Sequence, residues 1–197
     1  MIKTLLQISS LVFLLVSCKS YVPHNAELTN NELRLVENQY FSDPELDYVY
    51  RAHISAYNNE FSGVFIVKKI TKDQHRLVLT TDFGFKLLDV ELSQSSFKIH
   101  FIAEQLDRKL IRKTLEKDFK LLLKPSFTVY ETYTSERLFH YVMINNSSGL
   151  LEKVVETTSI KEKVSFHFFA KKNTFADSIL VEHRDIDLKI KLNQFKK

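Results

Sequence analysis

A mainly β fold of the α+β kind is what this sequence predicts: an antiparallel sandwich or barrel of about ten strands, with one long amphipathic helix inserted midway. Three observations predict it. Apolar and polar residues alternate in run after run on either side of a central stretch, which is the period of a half-buried strand. Between Leu106 and Leu123 the apolar residues recur instead at steps of three and four, the period of a helix. Short clusters of Asn, Asp, Ser and Gly punctuate the runs, as turns require.

Composition narrows the classes further. A chain of 197 residues with 44% apolar and 26% charged content fits one globular domain, and 12% aromatic residues are too many for a disordered chain. The single cysteine cannot build a disulfide scaffold or a thiolate zinc site. With only three glycines and three prolines there is no room for a glycine-rich phosphate loop or a collagen repeat. A formal charge of +4 suits an anionic membrane surface and is too small to argue for nucleic-acid binding.

The first element is a targeting segment. Residues 1–17 carry one positive charge, Lys3, then an apolar run from Leu5 to Val16 broken only by Gln7 and two serines. That run is shorter than the roughly 20 residues a membrane-spanning helix needs, so a secretory signal peptide is the expectation. It ends in Leu15-Val16-Ser17-Cys18, which resembles the bacterial lipobox. That resemblance implies a Cys18 thiol carrying diacylglycerol, cleavage before it and a chain anchored to a membrane by buried acyl groups. Lys19 follows where an aspartate would resemble an inner-membrane retention signal, so the resemblance favours the outer membrane, and with no acidic cluster after the cysteine the periplasmic face is the expectation. Residues 18–31 are polar and read as a tether, and residues 32–197 as the single domain.

Within that domain Leu33, Val36 and Tyr40 share one helical face, which predicts a short N-terminal helix ended by Pro44. Period-two alternation then begins at Arg51, and Asn58-Asn59 marks the turn of a hairpin continued from Phe61 to Lys69. Strands are expected from His75 to Thr81, Phe85 to Leu92 and Phe97 to Ala103. The helix over Leu106 to Leu123 presents Leu106, Leu110, Ile111, Leu115, Phe119, Leu122 and Leu123 on its apolar side, with Pro125 just past its end. Its basic face fits either a membrane surface or a solvated side of a helix packed on the sheet. Further strands follow at Phe127 to Thr134, Leu138 to Ile144, Leu150 to Thr158, Val164 to Ala170, Ser178 to His183 and Ile186 to Leu192.

No residue pattern argues for catalysis, a metal or a cofactor. His-Glu-x-x-His is absent, and a metal shell would need His100, His140, His167 and His183 to converge from separate strands. No serine sits in a Gly-x-Ser-x-Gly elbow. Asp89 and Glu91 share a strand face, an arrangement that suits the solvated side of a sheet as well as acid/base work. The expectation is a protein that is not an enzyme. Sixteen phenylalanines and no tryptophan suit a filled core and a greasy cavity equally.

Three stretches resemble the LolA/LolB superfamily of periplasmic lipoprotein carriers and receptors, and its LolB-like outer-membrane members most. They are Phe61-Ser-Gly-Val-Phe-Ile-Val-Lys-Lys69, His75-Arg-Leu-Val-Leu-Thr-Thr-Asp-Phe-Gly84 continuing to Leu92, and Leu188-Lys-Ile-Lys-Leu-Asn-Gln-Phe195, in the family's order. The resemblance implies an unclosed antiparallel β-barrel whose helices cover an apolar cavity for acyl chains. It implies as partners acylated lipoproteins or other lipids and a LolA-like periplasmic donor, with the chain acting as a monomer. It also implies that Phe83, at the family's protruding loop position, enters the membrane during delivery; the bare sequence equally allows a phenylalanine folded back over the core. The family's loop carries Asn-Pro before that residue, where this chain has Thr81-Asp82. On the alternating pattern the cavity lining is expected from Phe65, Leu77, Leu79, Ile99, Phe101 and Phe166. A scaffolding envelope lipoprotein with a filled core and no ligand is the other reading.

Overall fold

The computed structural model describes Tyr21 and residues 35–128, 132–133, 138–144, 147–171 and 175–195. Cys18, Leu33 and, apart from Tyr21, the tether lie outside the described residues.

The strands are β1 (Leu35–Glu37), β2 (Asp47–Ala56), β3 (Asn59–Lys69), β4 (His75–Thr81), β5 (Lys86–Leu92), β6 (Phe97–Ile102), β7 (Ser126–Thr128), β8 (Thr132–Tyr133), β9 (Leu138–Ile144), β10 (Leu151–Thr157), β11 (Glu162–Phe169), β12 (Ser178–His183) and β13 (Leu188–Gln194). A 3-10 turn at Glu104–Leu106 leads into the helix, α1 (Lys109–Leu122). Eleven strands form one antiparallel sheet in the order β6-β5-β4-β3-β2-β13-β12-β11-β10-β9-β8, while β1 and β7 pair as a separate ribbon. The large sheet has two ends, β6 and β8, so it is an unclosed barrel-like sheet and not a sandwich.

Where the chain differs from the sequence expectation, the causes are local. The short N-terminal helix is not formed: Leu35–Glu37 is a strand, with Val36 buried opposite Phe127 and its neighbours exposed. Val36 and Tyr40 are four residues apart, a spacing that a helix and an alternating segment share, so the pattern did not discriminate. In the first hairpin the turn residues are Tyr57 and Asn58, one position earlier than expected, with Ala56 opposite Asn59. Both have positive φ, 49° and 64°, as a two-residue hairpin turn of the primed kind needs. The expected strand over 127–134 contributes two short pieces, β7 and β8, to different sheets.

The inner face of the sheet carries the core. Alternate residues of β2 to β5 and β10 to β13 are buried there, and the apolar stripe of α1 lies across them. Phe119 packs at 5.8 Å, ring centre to ring centre, from Phe65. At one end the interior is closed by an aromatic cluster: Tyr40 stacks on Phe168 at 4.8 Å, and Phe175 meets the edges of Tyr48 and Tyr50 at 5.0 and 5.3 Å. The Tyr40 hydroxyl donates to the Leu151 carbonyl at 2.9 Å, and burial pushes its pKa up to about 12. These phenylalanines and tyrosines therefore fill a core.

Candidate lipid-binding seam and exposed rim

Between α1 and the inner face lies an apolar seam. It is lined by Ala52, Ile54, Phe65, Leu79, Phe166, Val181, Ile190 and Leu192 from the sheet and by Leu115, Asp118, Phe119 and Leu122 from the helix. Its open space is only about 40 Å³, little more than the roughly 30 Å³ share of one water molecule. With α1 in place the seam does not hold an acyl chain; helix and sheet fill it together.

Of the residues expected to line a cavity, Phe65, Leu79 and Phe166 meet in this seam, and Leu77 is fully buried on the same face. Ile99 packs at the margin of the core and, with Phe97, floors an open groove of about 440 Å³ walled by Asp107, Lys109, Arg112, Lys113 and Glu116. Phe101 stands elsewhere, exposed. The pairing of β5 with β6 shifts between Asp89 and Val90, so Val90 faces Ile99, Asp89 faces Phe101, and His100 is the extra residue. This bulge reverses the alternation: Ile99 and Ile102 pack against the core and Phe101 points away from it.

Three of the histidines, His183, His140 and His100, bind carboxylates rather than one another, while His167 stacks against Phe169 at 6.3 Å between ring centres. His183 on β12 meets Asp118 of α1 at 2.9 Å, His140 meets Glu156 at 3.2 Å and His100 meets Glu91 at 3.2 Å. Among the described residues no group of three or more His, Cys, Asp or Glu is arranged to hold a metal. Asp118 is the one polar side chain lining the apolar seam. Burial pushes its pKa above the ordinary carboxylate range and nearby Glu156 adds to this, while His183 and Lys117 act the other way. The sequence gives no signal for this pair.

Asp89 lies on the outer face of the sheet, opposite Phe101, but Arg76 and Lys86 cover it there. Only 2% exposed, it accepts from Arg76 Nε and an Arg76 terminal nitrogen at 2.9 and 3.0 Å and from Lys86 Nζ at 2.9 Å. The Arg76 hydrogen bonds first, then Lys86, hold its pKa down at about 2 against the effect of burial. A depressed folded-state value stabilises the fold above the ordinary carboxylate pKa and loses that stabilisation as pH falls toward about 2. Because Arg76 and Lys86 are half exposed, Asp89→Asn is expected to cost ~1–2 kcal/mol at neutral pH and to flatten acid unfolding between about pH 4 and 2. Urea titrations across that range read both.

The hairpin turns of β2–β3, β4–β5, β10–β11 and β12–β13 gather at one rim, as the antiparallel register requires. Tyr57 donates its backbone N–H to the Asp187 carbonyl at 3.1 Å, joining two of these turns. Phe83 and Phe85 on the β4–β5 turn are 90% and 72% exposed, so Phe83 is not folded over the core. Gly84 N–H donates to the Thr81 carbonyl at 3.0 Å and Gly84 has φ +84°, which leaves Phe83 at the tip of a closed turn. Arg51 pairs with Asp82 at 3.3 Å at the base of that turn.

No family profile matches the sequence, and no curated protein does. Solved structures similar to it include a LolA superfamily protein from Nitrosomonas europaea, with TM-score 0.44 and 6% identity over 81% of this chain and 88% of that one. A DUF1329 family protein from Desulfovibrio piger gives TM-score 0.40 and 9% identity over 79% and 86% of the two chains. A domain from Vibrio parahaemolyticus described as an outer membrane lipoprotein-sorting protein gives 0.40 and 8% over 76% and 83%. The likeness at these scores is partial, and the functional reading rests on the chain's own residues.

Proposed function

We propose that this chain is an outer-membrane lipoprotein, anchored through Cys18 with its domain on the periplasmic face, that takes acyl chains of lipoproteins between α1 and the sheet. It then delivers them into the bilayer, as the resemblance to LolB-like receptors implies, with a LolA-like carrier as donor. The observation that supports this most is the construction of the interior: an open-ended sheet presents a continuous apolar face, and one amphipathic helix covers it. Displacing α1 would bare that face without breaking any strand pairing. No energy source is needed on the chain if cargo binds here more tightly than to its donor and moves on into lipid.

The test is titration of a soluble form starting at Lys19 with a diacylated lipopeptide and its unacylated counterpart, with amide exchange followed in α1. Saturable binding of the acylated peptide alone, with faster exchange in α1, is expected. Binding of neither peptide overturns the proposal. Removing a phenylalanine side chain from water is worth ~1.5–3 kcal/mol, so Phe83→Glu should slow cargo delivery to vesicles on the order of ten-fold or more while leaving peptide binding intact.

The filled seam supports a second reading, a scaffolding lipoprotein whose core takes no ligand. That protein would bind neither peptide and keep α1 protected in the presence of both.

A further inference from the structure

We infer that the β10–β11 turn is a second membrane contact, pressed onto the bilayer by a tether pinned beside it. This rests on the lipid-anchored Cys18 of the reading above, and not on cargo binding. Three positions after that cysteine, Tyr21 is docked against the domain at the rim. Its backbone N–H donates to the Ser159 carbonyl at 2.8 Å, its carbonyl accepts from the Tyr141 hydroxyl at 2.9 Å, and its own hydroxyl reaches Glu162 at 3.5 Å. Ser159 lies in the turn at the rim, whereas Tyr141 lies midway along β9, so the amino-terminal side of Tyr21 is the side nearer the rim. Three residues extend at most ~10 Å, so an acylated Cys18 cannot stand farther than that from Tyr21.

Ile160, next to Ser159, is 76% exposed. It is held outward as Phe83 is: the Thr158 N–H donates to the Lys161 carbonyl at 2.8 Å, and the Thr158 hydroxyl accepts from the Ile160 and Lys161 N–H groups at 3.3 and 3.2 Å. Among the described residues Phe83, Ile160 and Phe85 are the three most exposed large apolar side chains, and all three stand on this one rim. The opposite rim, around Ile70, is closed by the aromatic cluster. Isolated exposed apolar residues are ordinary, but their standing on the same rim as the docked tether, with Ile160 next to the residue that holds Tyr21, selects a lipid surface as the occupant. Together the anchor and the two turns fix the orientation of the domain on the bilayer.

The experiment uses the full lipidated chain in vesicles of phosphatidylethanolamine and phosphatidylglycerol. Ile160→Cys, Phe83→Cys and Ile70→Cys each add one labelling site, since the Cys18 thiol is blocked by lipid. Quenchers carried on the phospholipid chains are expected to quench fluorophores at 160 and 83 several-fold more than at 70. A flexible glycine-serine insert between Ser20 and Tyr21 should leave the protein on the vesicles and keep Tyr21 docked, but reduce quenching at 160. Quenching at 160 no greater than at 70 overturns the inference and leaves the rim to a protein partner; quenching at 160 that ignores the insert overturns the role of the pinned tether. Lipopeptide titration reads cargo binding separately, so loss of one proposal is distinguishable from loss of the other.

Discussion

Gly63→Ala is expected to destabilise the domain by roughly 1–3 kcal/mol or more, where an ordinary strand glycine would give the opposite sign. In a strand, alanine normally gains about 0.5–1 kcal/mol over glycine because less backbone entropy is lost on folding. At position 63 a Cβ would lie 1.8 Å from the Thr80 carbonyl oxygen and 3.3 Å from the Thr81 Cα. Both are backbone atoms of the adjoining strand, so no side chain can turn aside to make room. The collision comes where β4 is already irregular, since its pairing with β5 shifts between Leu79 and Thr80 just before the turn that carries Phe83. Gly63 therefore permits the close approach that aims this turn. For a chain of this size 1 kcal/mol moves the melting temperature by about 2–4 °C, so a fall of several degrees should be seen in thermal unfolding of the soluble form. Gly63→Val should be worse, and a rise in melting temperature for Gly63→Ala would show that the β3–β4 approach is looser than described.

The glycine-containing strand and the turn after β4 were legible in the sequence because both are local signals. So were β4, β9 and β12, whose bounds the alternating pattern predicts to the residue, and α1, which begins three residues later than the pattern suggests because a 3-10 turn comes first. What failed were readings that needed knowledge of a partner. β1 exists because β7 lies opposite it, after the whole helix has passed, and Phe101 faces outward because one extra residue sits in β6 against β5. A distant pairing leaves no mark on periodicity, and the phase shift of this bulge is hidden because Phe101 and Ile102 are both apolar.

The site was legible in the same uneven way. Phe65, Leu79 and Phe166 sit where alternation places them, on the inner face, but whether that face was hollow depended on how far α1 reaches into it. Exposure of Phe83 between Asp82 and Gly84 was one of two readings the residues allowed. Ile160 carries no sequence signal, because its meaning comes from Tyr21, docked against the same turn. The rim is a property of four hairpins registered side by side, and its composition becomes visible only when the strand order is known.

His183→Leu is the second substitution expected to have a large effect, ~3–5 kcal/mol at neutral pH, because it removes the hydrogen-bonded partner of a carboxylate buried between helix and sheet. The groups facing Asp118 are His183 from β12, Glu156 from β10 and Lys117 from its own helix. Without His183, burial and Glu156 both push the Asp118 pKa further up. A carboxyl whose folded-state pKa is raised binds its proton more tightly in the native chain, so stability falls as pH rises from the ordinary carboxylate value through the raised one. The deficit of His183→Leu should thus be largest at neutral pH and shrink on acidification already above the ordinary carboxylate pKa, whereas that of Asp89→Asn shrinks only below it. Replacing both partners, Asp118→Leu with His183→Leu, should recover most of the loss, since no charge is then left in the seam. Urea unfolding of the three variants between about pH 4 and 8 decides it. A deficit for His183→Leu that is independent of pH would mean that lost packing, and not the stranded carboxylate, carries the cost. If the double variant holds α1 at least as firmly as the natural pair, slower uptake of the acylated peptide by that variant would identify departure of α1 from the sheet as the step that admits cargo.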